Sequence, residues 1–93
     1  MRTIKFGNRF KKDFRREERG RYARLVEAEL RVVLDMLIVD DELPIKFRDH
    51  ALAGEWIDHR DCHIRPDLVL IYRKPDDVSL ELVRLGSHSE LGL

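Results

Sequence analysis

Cysteine is almost absent from this chain: of 93 residues, only Cys62 carries a thiol. One thiol cannot close an internal disulfide, which fits a reducing compartment and leaves the fold to its core and its hydrogen bonds. Long apolar runs are missing as well. The longest, Leu68 to Tyr72, is five residues, against the ~20 needed to cross a bilayer. The opening Met1-Arg2-Thr3-Ile4-Lys5-Phe6 has no apolar stretch of signal-peptide length. Repeats, linkers and low-complexity segments are also lacking. A single soluble, cytoplasmic domain over residues 1–93, with no membrane partner, is therefore expected.

Net charge is missing too, since 18 Lys and Arg balance 18 Asp and Glu, but the balance hides a split. Residues 1–24 carry ten basic against three acidic side chains, and the remainder carries eight against fifteen. The basic half contains Lys11, Lys12, Arg15, Arg16 and Arg19. Such a segment is either a solvated helix face, with Asp13, Glu17 and Glu18 pairing locally with Arg16 and Arg21, or a surface for phosphates or an acidic protein.

Periodicity supplies the elements. Thr3 to Phe6 reads as a short strand. Asn8 is a candidate cap for a helix from about Arg9 that buries Phe10 and Phe14 and stops at Gly20. A second helix is expected from about Tyr22 to Leu37, with Leu25, Val26, Leu30, Val33, Leu34 and Leu37 on one face. After the loop Asp40–Pro44 the period changes to two. Trp56 to Ile64 reads as a strand with His59, Asp61 and His63 on one face. Leu68 to Tyr72 reads as a central strand, Pro75-Asp76-Asp77 as a turn, and Val78, Leu80 and Leu82 as an antiparallel partner ended by Gly86. The last residues form a single helical turn. The fold class is α+β: a twisted antiparallel sheet packed against two N-terminal helices.

All four histidines, His50, His59, His63 and His88, lie in the second half. A metal site built from His59, Cys62, His63 and Asp67 lacks the paired Cys/His spacing of zinc motifs, and Cys62 and His63 point to opposite faces of a strand. The same opposition argues against Cys62 as a nucleophile and for Cys62 as a small core residue. General acid–base cleavage of RNA fits better. One group takes the proton of the 2′-hydroxyl, another protonates the leaving 5′-oxygen, and cations stabilise the pentavalent phosphate. His50, His63, Asp67 and His88, with Arg60 and Arg84 as cations, are residues of the required kinds. Read singly, each histidine is also a plausible capping or surface residue, and Asp67 a plausible turn residue.

The pattern D-H-x-L-x-G-x-W-x-x-x-R-x-x-H-I-x-P-D-x-x-L-I-Y from Asp49 to Tyr72, followed by Gly86-Ser87-His88, resembles the YafQ family of bacterial toxins within the RelE/ParE superfamily. The resemblance implies a small RelE-like domain and a ribosome-dependent messenger-RNA endonuclease that needs neither metal nor cofactor. It also implies a cognate antitoxin, with operator DNA reached only through the toxin–antitoxin complex. The family's catalytic positions fall on His50, His63, Asp67 and His88. By that likeness Asp67 or His50 activates the 2′-hydroxyl, His63 orients the scissile phosphate and His88 protonates the leaving oxygen. Arg60 and Arg84 are candidate phosphate clamps, and Lys11, Lys12, Arg15 and Arg16 are candidates to grip ribosomal RNA. One position departs: Gly92 stands where the family carries an aromatic that stacks on a base, flanked by Leu91 and Leu93 as substitutes for its apolar surface. Two rivals accompany the enzyme reading. One is a toxin that binds DNA gyrase without chemistry; the other is a degenerate toxin that only binds its antitoxin.

Overall fold

The computed structural model describes residues 1–93. The chain runs β1 (Thr3–Phe6), α1 (Asn8–Glu18), α2 (Val26–Leu37), β2 (His50–Ala51), β3 (Arg60–Arg65), β4 (Leu68–Arg73), β5 (Ser79–Gly86) and α3 (His88–Leu91). The five strands form one sheet in the order β1-β5-β4-β3-β2. Neighbours within β2 to β5 are antiparallel, whereas β1 pairs parallel with β5. The α+β class holds, but the sheet is mixed at this edge. Nothing local in the first strand specifies its partner; its direction is set by α1, which continues from Gly7 along the same edge of β5.

α2 buries Val26, Leu30, Val33, Leu34 and Leu37, the spacing of one helical face. It starts four residues later than the periodicity suggested. Glu27 and Glu29 occupy its first turn, where negative charge suits the helix dipole, whereas Arg21 and Arg24 would oppose it. α1 is capped at Gly7 without a side-chain bond, and Asn8 is already its first helical residue. It buries Phe10 and Asp13, with Phe14 only half-buried against the core.

The main core lies between the helices and one sheet face, where Phe10 and the α2 residues meet Cys62, Ile64, Leu68, Leu70, Tyr72, Leu80, Leu82 and Leu85. A smaller cluster on the opposite face joins Val69 and Ile71 to Leu91 of α3, with Leu52, Trp56 and Val83 packed around it. β4 is thus covered on both faces, which explains its unbroken apolar run.

β3 is shorter than the expected Trp56–Ile64 strand. Gly54–Trp56 is a 3-10 turn, and Asp58, at φ 69°, takes a left-handed conformation that breaks an extended chain. His59 therefore lies off the strand. Val78 likewise falls outside β5 and is exposed.

Where β1 ends, α1 takes over the edge of β5. The Gly7 N–H donates to the Leu82 carbonyl at 3.0 Å. The Asp13 carboxylate then accepts the Leu85 N–H at 3.0 Å, and the Arg16 guanidinium donates to the Leu85 carbonyl at 2.8 Å. Two helix side chains so replace the bonds of an absent strand.

Candidate active site

Three imidazoles and two carboxylates meet on the sheet face away from α1 and α2. His50 comes from β2, directly across from Asp61 of β3. His63, two residues further along β3, shares that face. The β3–β4 hairpin turns through Pro66 and Asp67, with a bulge between His63 and Arg65, and holds Asp67 against the start of α3. The His50 and His63 rings lie 6.5 Å apart between centroids, and the His63 and His88 rings stack edge to face at 4.9 Å.

The Gly86-Ser87-His88 motif has a local explanation. Ser87 caps α3: its hydroxyl accepts the Glu90 N–H at 3.1 Å, and the Glu90 carboxylate accepts the Ser87 N–H at 2.8 Å, a reciprocal capping box. Gly86 leaves room for the neighbouring ion pair, because a Cβ there would stand 2.8 Å from Nη2 of Arg16 and 3.1 Å from Oε1 of Glu90. His88 is then the first helical residue. Oδ1 of Asp67 accepts both its backbone N–H at 3.0 Å and its imidazole Nδ1–H at 2.7 Å. These two bonds from His88, led by the backbone one, hold the Asp67 carboxyl below its ordinary pKa.

Hydrogen bonding assigns the tautomers. Nδ1 of His50 lies 2.8 Å from the Arg48 carbonyl, which can only accept, so His50 carries its proton there and presents Nε2 outward. His88, bonded through Nδ1 to a carboxylate, does the same. His63 makes no such bond. Burial, followed by the neighbouring His88, Arg48 and His50, outweighs the pull of Asp61 and lowers its pKa.

Asp61 lies at the centre of the cluster and is 3 % exposed. Its Oδ1 is 3.1 Å from Nδ1 of His50 and lacks a well-formed hydrogen bond. Desolvation raises its pKa despite the pull of His50, His63 and His88. The alternation of β3 put Asp61 on the histidine face, but its burial arises where β2 pairs beside it and brings His50 alongside, which no local pattern reveals.

The two arginines expected as phosphate clamps are engaged elsewhere. Arg84 donates to Asp13 from Nε at 2.7 Å and from Nη2 at 3.3 Å, and only 11 % of its side chain is exposed. It is a strut between β5 and α1. Arg60 lays its fork on Asp49, at 3.0 and 3.4 Å, and Asp49 also accepts from the Tyr72 hydroxyl. This trio fixes the residue before His50. Of the basic helix, Arg16 is tied to Asp13, Glu17 and Glu90, while Lys11, Lys12 and Arg15 form no ion pair. Cys62 is fully buried, and burial pushes its thiol far up, as a core residue requires. No three His, Cys, Asp or Glu side chains converge as a metal cage, and no helix is long and apolar enough to cross a membrane.

Gly92 ends α3 at φ 71°, with open space where its Cβ would be. Leu91 is buried against Val69 and Ile71, so only the half-exposed Leu93 remains as an apolar surface there.

Residues 2–92 match the model of the bacterial YafQ toxin of type II toxin–antitoxin systems. The chain belongs to the YafQ family. A YafQ toxin of Haemophilus influenzae is 48% identical over 54 residues, 55% of this chain. The match spans about half of that relative's length, 53%. An mRNA interferase toxin YafQ of Escherichia coli strain B is 32% identical over 93 residues, covering 98% of this chain and 96% of the relative. Among solved structures, a copper-bound variant toxin from Helicobacter pylori superposes with a TM-score of 0.88 at 40% identity, covering 98% and 99% of the two chains. YafQ in the E. coli DinJ–YafQ complex does so at 0.83 and 30% identity, covering 98% of each. Within this YafQ fold, the unpaired Arg48 and the Ser87–Glu90 capping box are site features absent from the expectations above, whereas Asp61 was expected on the histidine face but not as buried. Only the capping box had a sequence signature, Ser-x-x-Glu.

Proposed function

We propose that this YafQ-family chain is an endoribonuclease, the toxin of a type II toxin–antitoxin pair, that cleaves messenger RNA during translation on the ribosome and so inhibits protein synthesis. The observation that carries the reading is the set of three imidazoles around Asp61, two of them presenting a free Nε2 from a fixed ring. The 2′-oxygen attacks phosphorus as its proton passes to a neutral imidazole on the His50–His63 side. The bond to the 5′-oxygen then breaks as His88 delivers a proton to it, leaving a 2′,3′-cyclic phosphate and a 5′-hydroxyl. Two adjacent imidazoles resist carrying charge together. Burial, with His88 beside it, lowers the proton affinity of His63, which suits a ring that is neutral before it takes the proton. Asp67 serves His88 rather than the 2′-hydroxyl, because both of its contacts with the cluster are bonds from His88.

The chemistry uses no metal or cofactor. Lys11, Lys12 and Arg15 face ribosomal RNA, while Arg16 and Arg84 hold the scaffold. The silencing partner is an antitoxin of the DinJ kind, through which alone the toxin reaches operator DNA. The deciding experiment is induction of the wild-type chain and of His88→Ala, with primer extension on translated messages. Growth arrest with breaks in register with codons, lost in His88→Ala and unaffected when the purified toxin is stripped with chelator before mixing with ribosomes, is the expected outcome. Arrest without breaks would replace this reading with a toxin that acts by binding a protein such as gyrase. Absence of arrest would replace it with a toxin disabled around Gly92.

A further inference from the structure

An RNA strand runs past the scissile phosphate in both directions, and the two sides of the histidine cluster differ in charge. The α3 side carries the carboxylate of Asp67, that of Glu90 being paired with Arg16. On the other side, the 3-10 turn Ile45–Phe47, the end of β3 and α2 enclose an open cleft of about 820 Å³ around the β3 edge, whose walls include Phe47, Arg48, His63 and Arg65. That volume is within the range of small-ligand sites. Its one acidic wall residue, Glu29, is neutralised by Arg65 at 2.5 Å.

Arg48 is the distinctive residue. Arg60, Arg65 and Arg84 each have a carboxylate partner; Arg48 is exposed and forms neither an ion pair nor a side-chain hydrogen bond. It stands between two of the histidines, its carbonyl fixing Nδ1 of His50 at 2.8 Å and its side chain sharing the cleft wall with His63. Its backbone is left-handed, φ 49° and ψ 42°, a conformation that arginine takes only when the surroundings impose it. The turn thus holds an unneutralised guanidinium beside the reacting groups.

We propose that Arg48 binds a phosphate of the RNA substrate at or next to the cleavage point, and that the cleft between the 3-10 turn and β3 seats the nucleotide on that side. A planar fork with no internal partner matches phosphate oxygens. Phe47 and Pro66 give the cleft apolar surface for a base, and Lys46, held over the Phe47 ring at 5.1 Å, adds a second cation at the rim. The inference rests on the ribonuclease reading for its substrate and assigns the cation that Arg60 and Arg84 do not supply.

The test uses the full chain, isotopically labelled, and a short RNA whose cleavage-site nucleotide is 2′-deoxy and so cannot be cut. Amide signals of residues 45–48 and 63–66 should shift on addition of RNA, and the affinity should fall with salt. In Arg48→Gly, which accommodates the left-handed backbone and so keeps the fold, the log–log salt slope should drop by about 0.7. Single-turnover cleavage on programmed ribosomes should fall about 10-fold or more, with Arg48→Lys recovering most of the loss. An RNA that leaves the cleft signals unmoved, or an Arg48→Gly variant that binds and cleaves like wild type, overturns the proposal. If wild type cleaves nothing, the ribonuclease reading fails by itself. The oligonucleotide shifts and salt slope then decide the subsite alone.

Discussion

Asp13→Ala separates a structural Arg84 from a catalytic one. Asp13 is 4 % exposed and accepts from Arg84 at 2.7 Å, from Arg16 at 3.1 Å and from the Leu85 N–H at 3.0 Å. Its removal strands a largely buried guanidinium and a buried backbone donor. Breaking a buried ion pair from one side costs about 3–5 kcal/mol. Arg84 retains 11 % exposure and can recruit some water, so the lower end applies, about 3 kcal/mol. For a domain of this size that lowers the melting temperature by roughly 12–24 °C. Asp13→Asn keeps an acceptor for Leu85 and should lose only about 1–2 kcal/mol. Arg84→Ala in the Asp13→Ala background should cost less than it does in wild type.

Acid provides a second reading of the same pair. Burial alone would raise the Asp13 pKa, but the Arg84 and Leu85 hydrogen bonds and the charges of Arg84 and Arg16 outweigh it and lower it below 3.8. Its stabilisation is therefore present above the unfolded value and is lost as pH falls through the folded one. The gap between the thermal melts of wild type and Asp13→Ala should accordingly begin to narrow near pH 4 and close only beneath the lowered folded value. If Asp13→Ala melts within about 2 °C of wild type at neutral pH, less than even 1 kcal/mol would produce, the strut does not exist. A clamp role for Arg84 would then return, visible as lost cleavage without lost stability.

Two further outcomes follow from the site and the basic helix. Because burial and its cationic neighbours depress His63, its NMR titration midpoint should fall below the 6.5 of a free imidazole. The acid limb of single-turnover cleavage should follow that midpoint, and any His63-linked stability is present above 6.5 and lost as pH falls through the folded value; a midpoint at or above 6.5 refutes the assignment. Reversing Lys12 and Arg15 to Glu should weaken ribosome association and lower its salt slope by about 1.4–1.8; unchanged association would make the patch an antitoxin dock or a solvated face.

Elements whose identity is local were legible in the sequence. The five apolar, β-branched-rich residues of β4 read as a central strand, and the body of α2, though not its start, was readable from spacing. The direction of β1 was not, because it depends on where α1 lands. Chemistry followed the same division. His50, His63, Asp67 and His88 were identified from their motif, and the structure brings all four to one face. Arg60 and Arg84 carry the right chemistry for clamps, yet sequence could not show that Asp49 and Asp13 meet them across 11 and 71 residues. Arg48 looked unremarkable until its neighbours' partners were known.

The way α1 closes the side of β5 also bears on self-association. An unpaired stretch of strand is a template on which another copy of the chain can nucleate a shared ladder, and small sheet proteins must guard against it. Asp13 and Arg16 occupy the donor and acceptor of Leu85, so that stretch offers no such template. β2 at the far margin is two residues long and offers little of one. Two rims remain for a neighbour to read, that of β1 at residues 3–6 and that of β3 past its two β2-paired residues, at 62–65, and strand-to-strand aggregation, or a partner that extends the sheet, must begin at one of them.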